Sequence, residues 1–240
     1  MLLKIGELKP SPYKGIRIMA AYGLHEDIFS LLKPFLNQGM KILDFGCGEG
    51  AFSQRLIDAG MIVDGCDIDT EQVKASLNRK IHLDLNRELD QSIFPEKYDV
   101  LIAMEILEHL QNPWKYVNDC KALVTKNGLI VLSTPNISNF VSRLRFLMRG
   151  SLQAFEKPDF VHGHITPLSF IQLENMFDKL GLEIVSKGHA GPIPLFHFTG
   201  LSLFSLLRNT ILPLFYPFMS GPKNGRALVY ILRKRAQDGL

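Results

Sequence analysis

The chain has 240 residues, 46% hydrophobic and 21% charged, with a formal net charge of +3. That size and apolar content suit one large domain, 1–240, with a substantial core, and exclude a chain disordered throughout. The small net charge is no argument for nucleic acid, and Cys47, Cys66 and Cys120, without a metal-type C-x-x-C pair, read as small buried residues in a reducing compartment.

Residues 1–37 read as a helical lead-in, with an amphipathic helix over 24–36. KILDFG, 41–46, is a short apolar strand that runs straight into glycines, and 50–59 follow as a helix. MIVDGCDID, 61–69, predicts a second strand ending in acids, then a helix around Glu71 to Asn78, then a third strand, IHLDL, at 81–85. YDVLIAME, 98–105, is apolar nearly throughout, as in a strand covered on both faces. A helix from Pro113 to Val124 and a strand from Gly128 to Thr134 follow. NFVSRLRFLMRG, 139–150, is a basic, partly apolar helix, and 150–166 has little periodicity and suits a lid or binding loop. A helix over 167–180 and closing strands at 182–190 and 226–235 complete the pattern. The alternation predicts an α/β fold, a parallel sheet with helices on both faces.

Between the closing strands, 191–225 reads as an apolar helical insertion whose core is 193–219. A spanning helix needs about 20 apolar residues. Arg208 and Asn209 interrupt this one, and Pro213 and Pro217 would break it, so a buried or interfacial helix pair is expected. No signal peptide is expected at the N-terminus. The location expected is cytoplasmic, with peripheral contact at the inner face of a membrane as an extension of that reading.

The chemistry centres on Leu43-Asp44-Phe45-Gly46-Cys47-Gly48-Glu49-Gly50. Glycines after a first strand permit a tight turn and close approach of a ligand. Gly46-x-Gly48-x-x-Ala51 also satisfies a loose dinucleotide pattern, which keeps an NAD-type oxidoreductase open. Asp44 discriminates: a carboxylate here would repel a pyrophosphate and suits a cationic ligand such as the sulfonium cofactor S-adenosylmethionine (SAM). Asp67 and Asp84 fall at the ends of the second and third strands, where ligands bind in open α/β sheets. A carboxylate at Asp67 can accept from ribose hydroxyls, and Asp84 from an adenine amino group with Leu85 in backbone contact. Cys47, Ile68 and Met104 complete the candidate cofactor set. Strand-end Asp residues also commonly cap helices, and Met104 is also plain core material.

The segments LDFGCGEGAFS, CDID, DVLIAMEILEHLQNP and GLIVLSTPN, over residues 25–190, resemble the class I SAM-dependent methyltransferases. The likeness is to the branch of ubiquinone-biosynthesis O-methyltransferases and saccharide-modifying relatives. It implies a Rossmann-like, seven-stranded, mostly parallel sheet with an antiparallel last strand. It also implies that Gly46, Gly48, Asp67 and Asp84 hold SAM.

For the acceptor side, Glu105, Glu108 and His109 form E-x-x-E-H after the fourth strand. On a helix they would share one face and could supply a base or bind a divalent ion. The resemblance implies such a metal site for some relatives, with His162 or His164 completing it. The non-metal role is the one expected here. Glu105, His109 and His164 are the candidate catalytic residues. Asn136 is read either as orienting an acceptor hydroxyl or as turn chemistry, and Tyr13 and His25, ahead of the glycine loop, could close over SAM but are not counted among the site residues. Arg143, Arg145 and Arg149 among apolar neighbours suit a sheet-packing helix with a basic edge, or a membrane surface or anionic acceptor. The function expected is SAM-dependent methylation, at oxygen, of a small, lipid-linked or saccharide-type acceptor. RNA 2′-O-methylation with a metal and catalytically silent SAM binding also fit the pattern, alongside the NAD-type oxidoreductase. Nucleic acid is not expected as a partner, whereas a homodimer or membrane contact through 193–219 is.

Overall fold

The computed structural model describes residues 9–192, 214 and 216–236. Strands β1 (Lys41–Phe45), β2 (Ile62–Asp67), β3 (Arg79–His82), β4 (Tyr98–Met104), β5 (Val124–Pro135), β6 (Leu182–Ala190) and β7 (Ala227–Lys234) form a 7-stranded sheet in the order β3-β2-β1-β4-β5-β7-β6. β1 pairs parallel with β2 and β4, β2 with β3, and β4 with β5. β7 runs antiparallel to both β5 and β6. The expected mostly parallel sheet with an antiparallel last strand is therefore the observed one.

Alternation along the strands sends side chains to two cores, as the two-residue period of a strand requires. Ile42, Val100, Ile102, Val131 and Val229 meet Leu24, Ile28 and Leu32 of α1 (Leu24–Leu32) and Phe52 and Leu56 of α2 (Ala51–Asp58). Leu43, Phe45, Leu101, Ile130 and Leu132 meet Tyr116, Val117 and Cys120 of α3 (Pro113–Leu123). α4 (Phe140–Arg149) and the short α5 (Lys157–Val161) follow β5. Leu173, Met176 and Phe177 of α6 (Phe170–Lys179) join the second core. Asn112 caps α3 and Asn139 caps α4, each accepting from a backbone amide three residues on.

Four local expectations change. Residues 71–78 form no α-helix; a single 3₁₀ turn, Thr70–Gln72, leads into extended chain. Val73 and Ala75 are buried against Ile16, Ile18 and Ala51, with Leu77 packed on the same cluster, a two-residue spacing that a helix would scatter. Asn78 N–H donates to the Val63 carbonyl (2.8 Å), which starts β3 early. β3 then ends at His82, so Asp84 lies beyond the strand. The irregular 150–166 segment contains α5, held by a reciprocal capping box of Glu156 and Asp159. The lead-in is helical only from Leu24; residues 9–23 run as loops with one bridge, Tyr13 to Ile16. The apolar stretch 193–213, expected to be helical, lies outside the described residues. Among those that are described, no helix is long and apolar enough to cross a membrane.

Candidate functional site

The chain leaves β1 toward β2 on one side and returns to β4 on the other. A crevice opens at such a switch point, beyond the C-terminal ends of the strands. The glycine turn fills its floor. Gly46, Gly48 and Gly50 all have positive φ (93°, 55° and 86°), which only glycine adopts at no steric cost. The Gly46 amide donates to the Cys66 carbonyl (2.8 Å), and a Cβ on Gly46 would stand 2.3 Å from Ile106 Cδ1. Gly46→Ala is therefore expected to cost about 1–3 kcal/mol of stability from strain alone, and more from the clash. Urea denaturation checks this, and an unchanged midpoint would show that the turn is not held as described.

A cleft of about 240 Å³ sits over this turn, lined by Asp44, Gly46, Cys47, Gly48, Asp67 and Met104 among others. Six of the nine residues expected to hold a cofactor are thus together. Ile68 is 62% exposed and does not line the cleft. Asp84 accepts from the Asn86 amide and pairs with Arg87 (3.2 Å), so it serves its own turn and is absent from the cleft wall. Leu85 lies just outside, its Cδ1 3.7 Å from where a Gly46 Cβ would be.

The acids of the cleft differ in state. Asp44 points to the α1–α2 side of the sheet, fully buried, where Ser53 Oγ of α2 donates to it. Burial pushes its carboxyl up to about 6, against the pull of that hydrogen bond. Asp67 is partly open. Its Oδ2 accepts from the Gly48 amide (2.8 Å) and its Oδ1 from the Asp69 amide (3.0 Å), so it ties the glycine turn to the end of β2. His25 of α1 also reaches the cleft. It is 6% exposed, its Nδ1 has no hydrogen-bond partner among the described residues, and burial lowers its pKa to about 4, so it is neutral. Tyr13 instead donates to Asp58 (2.9 Å) outside the cleft.

Sequence reasoning missed the roof. Arg17, Met19 and Ala20, from the loop ahead of α1, line the cleft. Glu49 of the glycine turn accepts from the Arg17 amide (3.3 Å) and pairs with the Arg17 guanidinium (3.1 Å) and Lys74 (2.6 Å). A segment without periodicity carries no signal for such a contact.

A second cavity, about 850 Å³, abuts the first and shares Met19, Ala20, Glu105 and His109 with it. Glu105, Glu108, His109, His162 and His164 all line it, so the three expected catalytic residues do converge. They do so without the helix the spacing suggested. Glu105 has φ 53°, a strained value for a side-chain-bearing residue, and Leu107–His109 form a 3₁₀ turn. The Glu105 amide donates to the Ser133 carbonyl (3.1 Å), and Ser133 Oγ donates to Glu105 Oε1 (2.8 Å). Burial raises the Glu105 carboxyl to about 7. Glu108 is fully buried and is raised further by burial and by Glu105. Its Oε2 accepts from Thr134 (3.0 Å), and its Oε1 has no partner among the described residues.

His109 and His164 meet edge to face, ring centroids 4.7 Å apart. His109 is lowered by burial and then by His164. His164 Nδ1 lies 2.7 Å from the carbonyl of Ala154, itself at φ 66°. That contact makes Nδ1 the protonated nitrogen and leaves Nε2 as the lone-pair donor. Glu108, His109 and His164 each offer a ligand atom within 4.8 Å of the others. The group suited to a cation is thus Glu108, His109 and His164, whereas the sequence pattern pointed to Glu105, Glu108 and His109. The unpartnered Glu108 oxygen and the anchored His164 fit a divalent ion, which accepts mixed carboxylate and imidazole donors. Asn136 takes no part in the cavity wall; its Nδ2 donates to the carbonyls of Pro222 (2.9 Å) and Asn224 (2.7 Å).

Residues 19–187 match the family model described as a methyltransferase domain. A ubiquinone biosynthesis O-methyltransferase from Haemophilus ducreyi is 36% identical over 109 residues, 41% of this chain and 46% of that one. The match thus spans about half the length of that curated relative. Among solved structures, a SAM-dependent methyltransferase from Archaeoglobus fulgidus superposes with a TM-score of 0.57 at 17% identity, covering 88% of this chain and 94% of that one. The [4+2]-cyclase SpnF superposes with a TM-score of 0.62 at 13% identity, covering 93% and 90%. Likenesses this remote speak for the fold alone, and the same fold serves more than one chemistry. With the family model matched over most of its length and the acid-lined glycine cleft in place, the chain belongs to the class I SAM-dependent methyltransferases.

Proposed function

We propose that the protein transfers the methyl group of SAM to an oxygen of a small, lipid-linked or saccharide-type acceptor. The observation that carries this is the shared wall: Glu105 and His109 border both the acid-lined cleft and the larger cavity. SAM in the cleft would present its methyl toward an acceptor in the cavity, and holding the two in line supplies much of the acceleration. Asp44 and Asp67 give the cleft the negative charge a sulfonium and an ammonium require. Glu105, with a carboxyl near 7, and the neutral His109 are the bases at the boundary, and His164 contacts the acceptor deeper in the cavity. The O-methyltransferase name of the curated relatives supports oxygen as the acceptor atom.

A second arrangement is favoured by the unpartnered Glu108 oxygen. Glu108, His109 and His164 would hold a divalent cation, which as a Lewis acid would orient and acidify acceptor oxygens. Membrane contact through 193–219 belongs to the reading of a lipid-linked acceptor, and a homodimer through the same stretch is the competing arrangement.

The test is calorimetry with SAM, S-adenosylhomocysteine (SAH) and NADH, followed by turnover of methyl-labelled SAM against fractionated metabolite and lipid extracts. SAM and SAH are expected to bind, NADH to give no heat, and label to enter one fraction. Heat with NADH and none with SAH would overturn the reading. Tight SAH binding without transfer to any fraction would favour a protein that binds SAM without catalysis.

A further inference from the structure

Arg226 stands on the wall of the larger cavity at the entrance to β7, half-buried. Its backbone is fixed from both sides. The Arg226 amide donates to the Ala190 carbonyl (2.8 Å), and the Arg226 carbonyl accepts from the Asn136 amide (2.8 Å). The Asn136 side chain clamps the preceding loop. Gly225 turns with φ 76° at a point where a Cβ would stand 2.4 Å from His189 Cβ. The chain thus delivers this one side chain to a defined place.

Nothing among the described residues neutralises it. Arg145, on the same wall, is tied to Glu156 (2.7 Å), and Arg143 donates to the carbonyls of Ser138 and Ser220. The Arg226 guanidinium has no ion pair or hydrogen bond among the described residues. The neighbouring insertion supplies no acid either. Between Glu183 and Asp238 the sequence holds Lys187, Arg208, Lys223, Arg226, Arg233, Lys234 and Arg235, and no Asp or Glu. Of the cavity's own carboxyls, Glu156 pairs with Arg145, Asp159 caps α5, Glu105 accepts from Ser133 and Glu108 from Thr134, and none is paired with Arg226 among the described residues. Arg226 is thus the cation of the cavity wall that has no carboxylate partner among the described residues.

A guanidinium is a planar fork of donors that matches carboxylate and phosphate geometry. We infer that Arg226 is a specificity-determining residue that binds an anionic group, phosphate or carboxylate, on the acceptor. This rests on the larger cavity being the acceptor site, and it narrows the acceptor to molecules bearing such a group at some distance from the methylated oxygen.

The experiment is calorimetric titration of inorganic phosphate, benzoate and neutral benzamide into wild type, Arg226→Met, Arg226→Lys and Arg149→Met, each with and without saturating SAH. Arg149, on the exposed end of α4, controls for general surface charge. Phosphate or benzoate is expected to bind wild type, benzamide not to. Arg226→Met should weaken the anion by about tenfold or more, the cost of one charge-assisted hydrogen bond. Arg226→Lys should lose part of the affinity, and Arg149→Met none. Which anion binds distinguishes a phosphorylated from a carboxylated acceptor. Absence of binding to wild type, equal binding to Arg226→Met, or an equal loss in Arg149→Met would overturn the inference. SAH affinity, measured on the same samples, is expected to be unchanged in every variant. Its absence in wild type would overturn the methyltransferase reading instead, while the titrations without SAH would still decide the role of Arg226.

Discussion

Asp67→Ala is expected to weaken SAH binding by about 100-fold while leaving the fold intact. The magnitude corresponds to two hydrogen bonds to a charged acceptor at about 1.5 kcal/mol each, with about 1.4 kcal/mol per factor of ten. The carboxylate now accepts from the Gly48 and Asp69 amides, so it fixes the glycine turn against the end of β2. With ligand bound, the resemblance gives it the ribose hydroxyls as well. Removing it therefore loosens the floor of the cleft and deletes a ligand contact in one step. It removes no core packing, because Asp67 lies at the strand end, outside both hydrophobic cores. Asp67→Asn keeps one acceptor oxygen and should fall between the two. Calorimetry with SAH and a thermal scan of each variant check both halves. Unchanged affinity in Asp67→Ala would remove the ribose role, and a collapsed thermal transition would mean that the turn is structural to the whole domain.

The parts of this site that were legible in the sequence share a physical cause. Asp44, Gly46, Gly48 and Asp67 sit at the junction of an apolar strand with a glycine turn, where backbone geometry dictates residue type and leaves few other choices. The strands were legible for the same reason, since β1 and β4 are covered on both faces and show it as continuous apolar runs. The 71–78 segment misled because Val73, Ala75 and Leu77 pack against Ile16 and Ile18, residues more than fifty positions away that no local window contains. Asp84 misled because β3 is short and its end could not be fixed to within two residues. The Arg17–Glu49 roof and Arg226 were invisible for a further reason. Each gains its meaning from a partner, or the want of one, brought near only by the finished sheet.

Glu105 leads to the other large effect. Burial raises its carboxyl to about 7, so the protonated form persists toward neutral pH, and only the ionised form can accept a proton from an acceptor hydroxyl. For any acceptor that turns over, kcat/KM is expected to rise with pH through about 7. Glu105→Gln should lower kcat by about 10²–10⁴-fold, the usual contribution of a general base, and flatten that rise. A variant that keeps the rise would transfer the base role to His109. The same shift has a consequence for stability that needs no acceptor. A carboxyl raised in the folded protein holds its proton more tightly there than in the unfolded chain. Its contribution to stability is whole below the ordinary value of 4.5 and is lost as pH climbs through about 7. Asp44 acts with the same sign between 3.8 and about 6. These carboxyls, with Glu108 in the same sense, make the urea midpoint of the ligand-free protein fall as pH rises from about 4.5 to 7, while the lowered His25 and His109 act in the opposite sense. Measured against wild type, Glu105→Gln should lessen the fall in the upper part of that range and Asp44→Asn in the lower part. SAM should oppose the Asp44 component, because a bound cation favours the carboxylate. Its affinity is then expected to increase with pH up to about 6 and to level off above. A wild-type midpoint whose pH dependence is matched by both variants would mean that burial does not raise these two carboxyls in the folded protein.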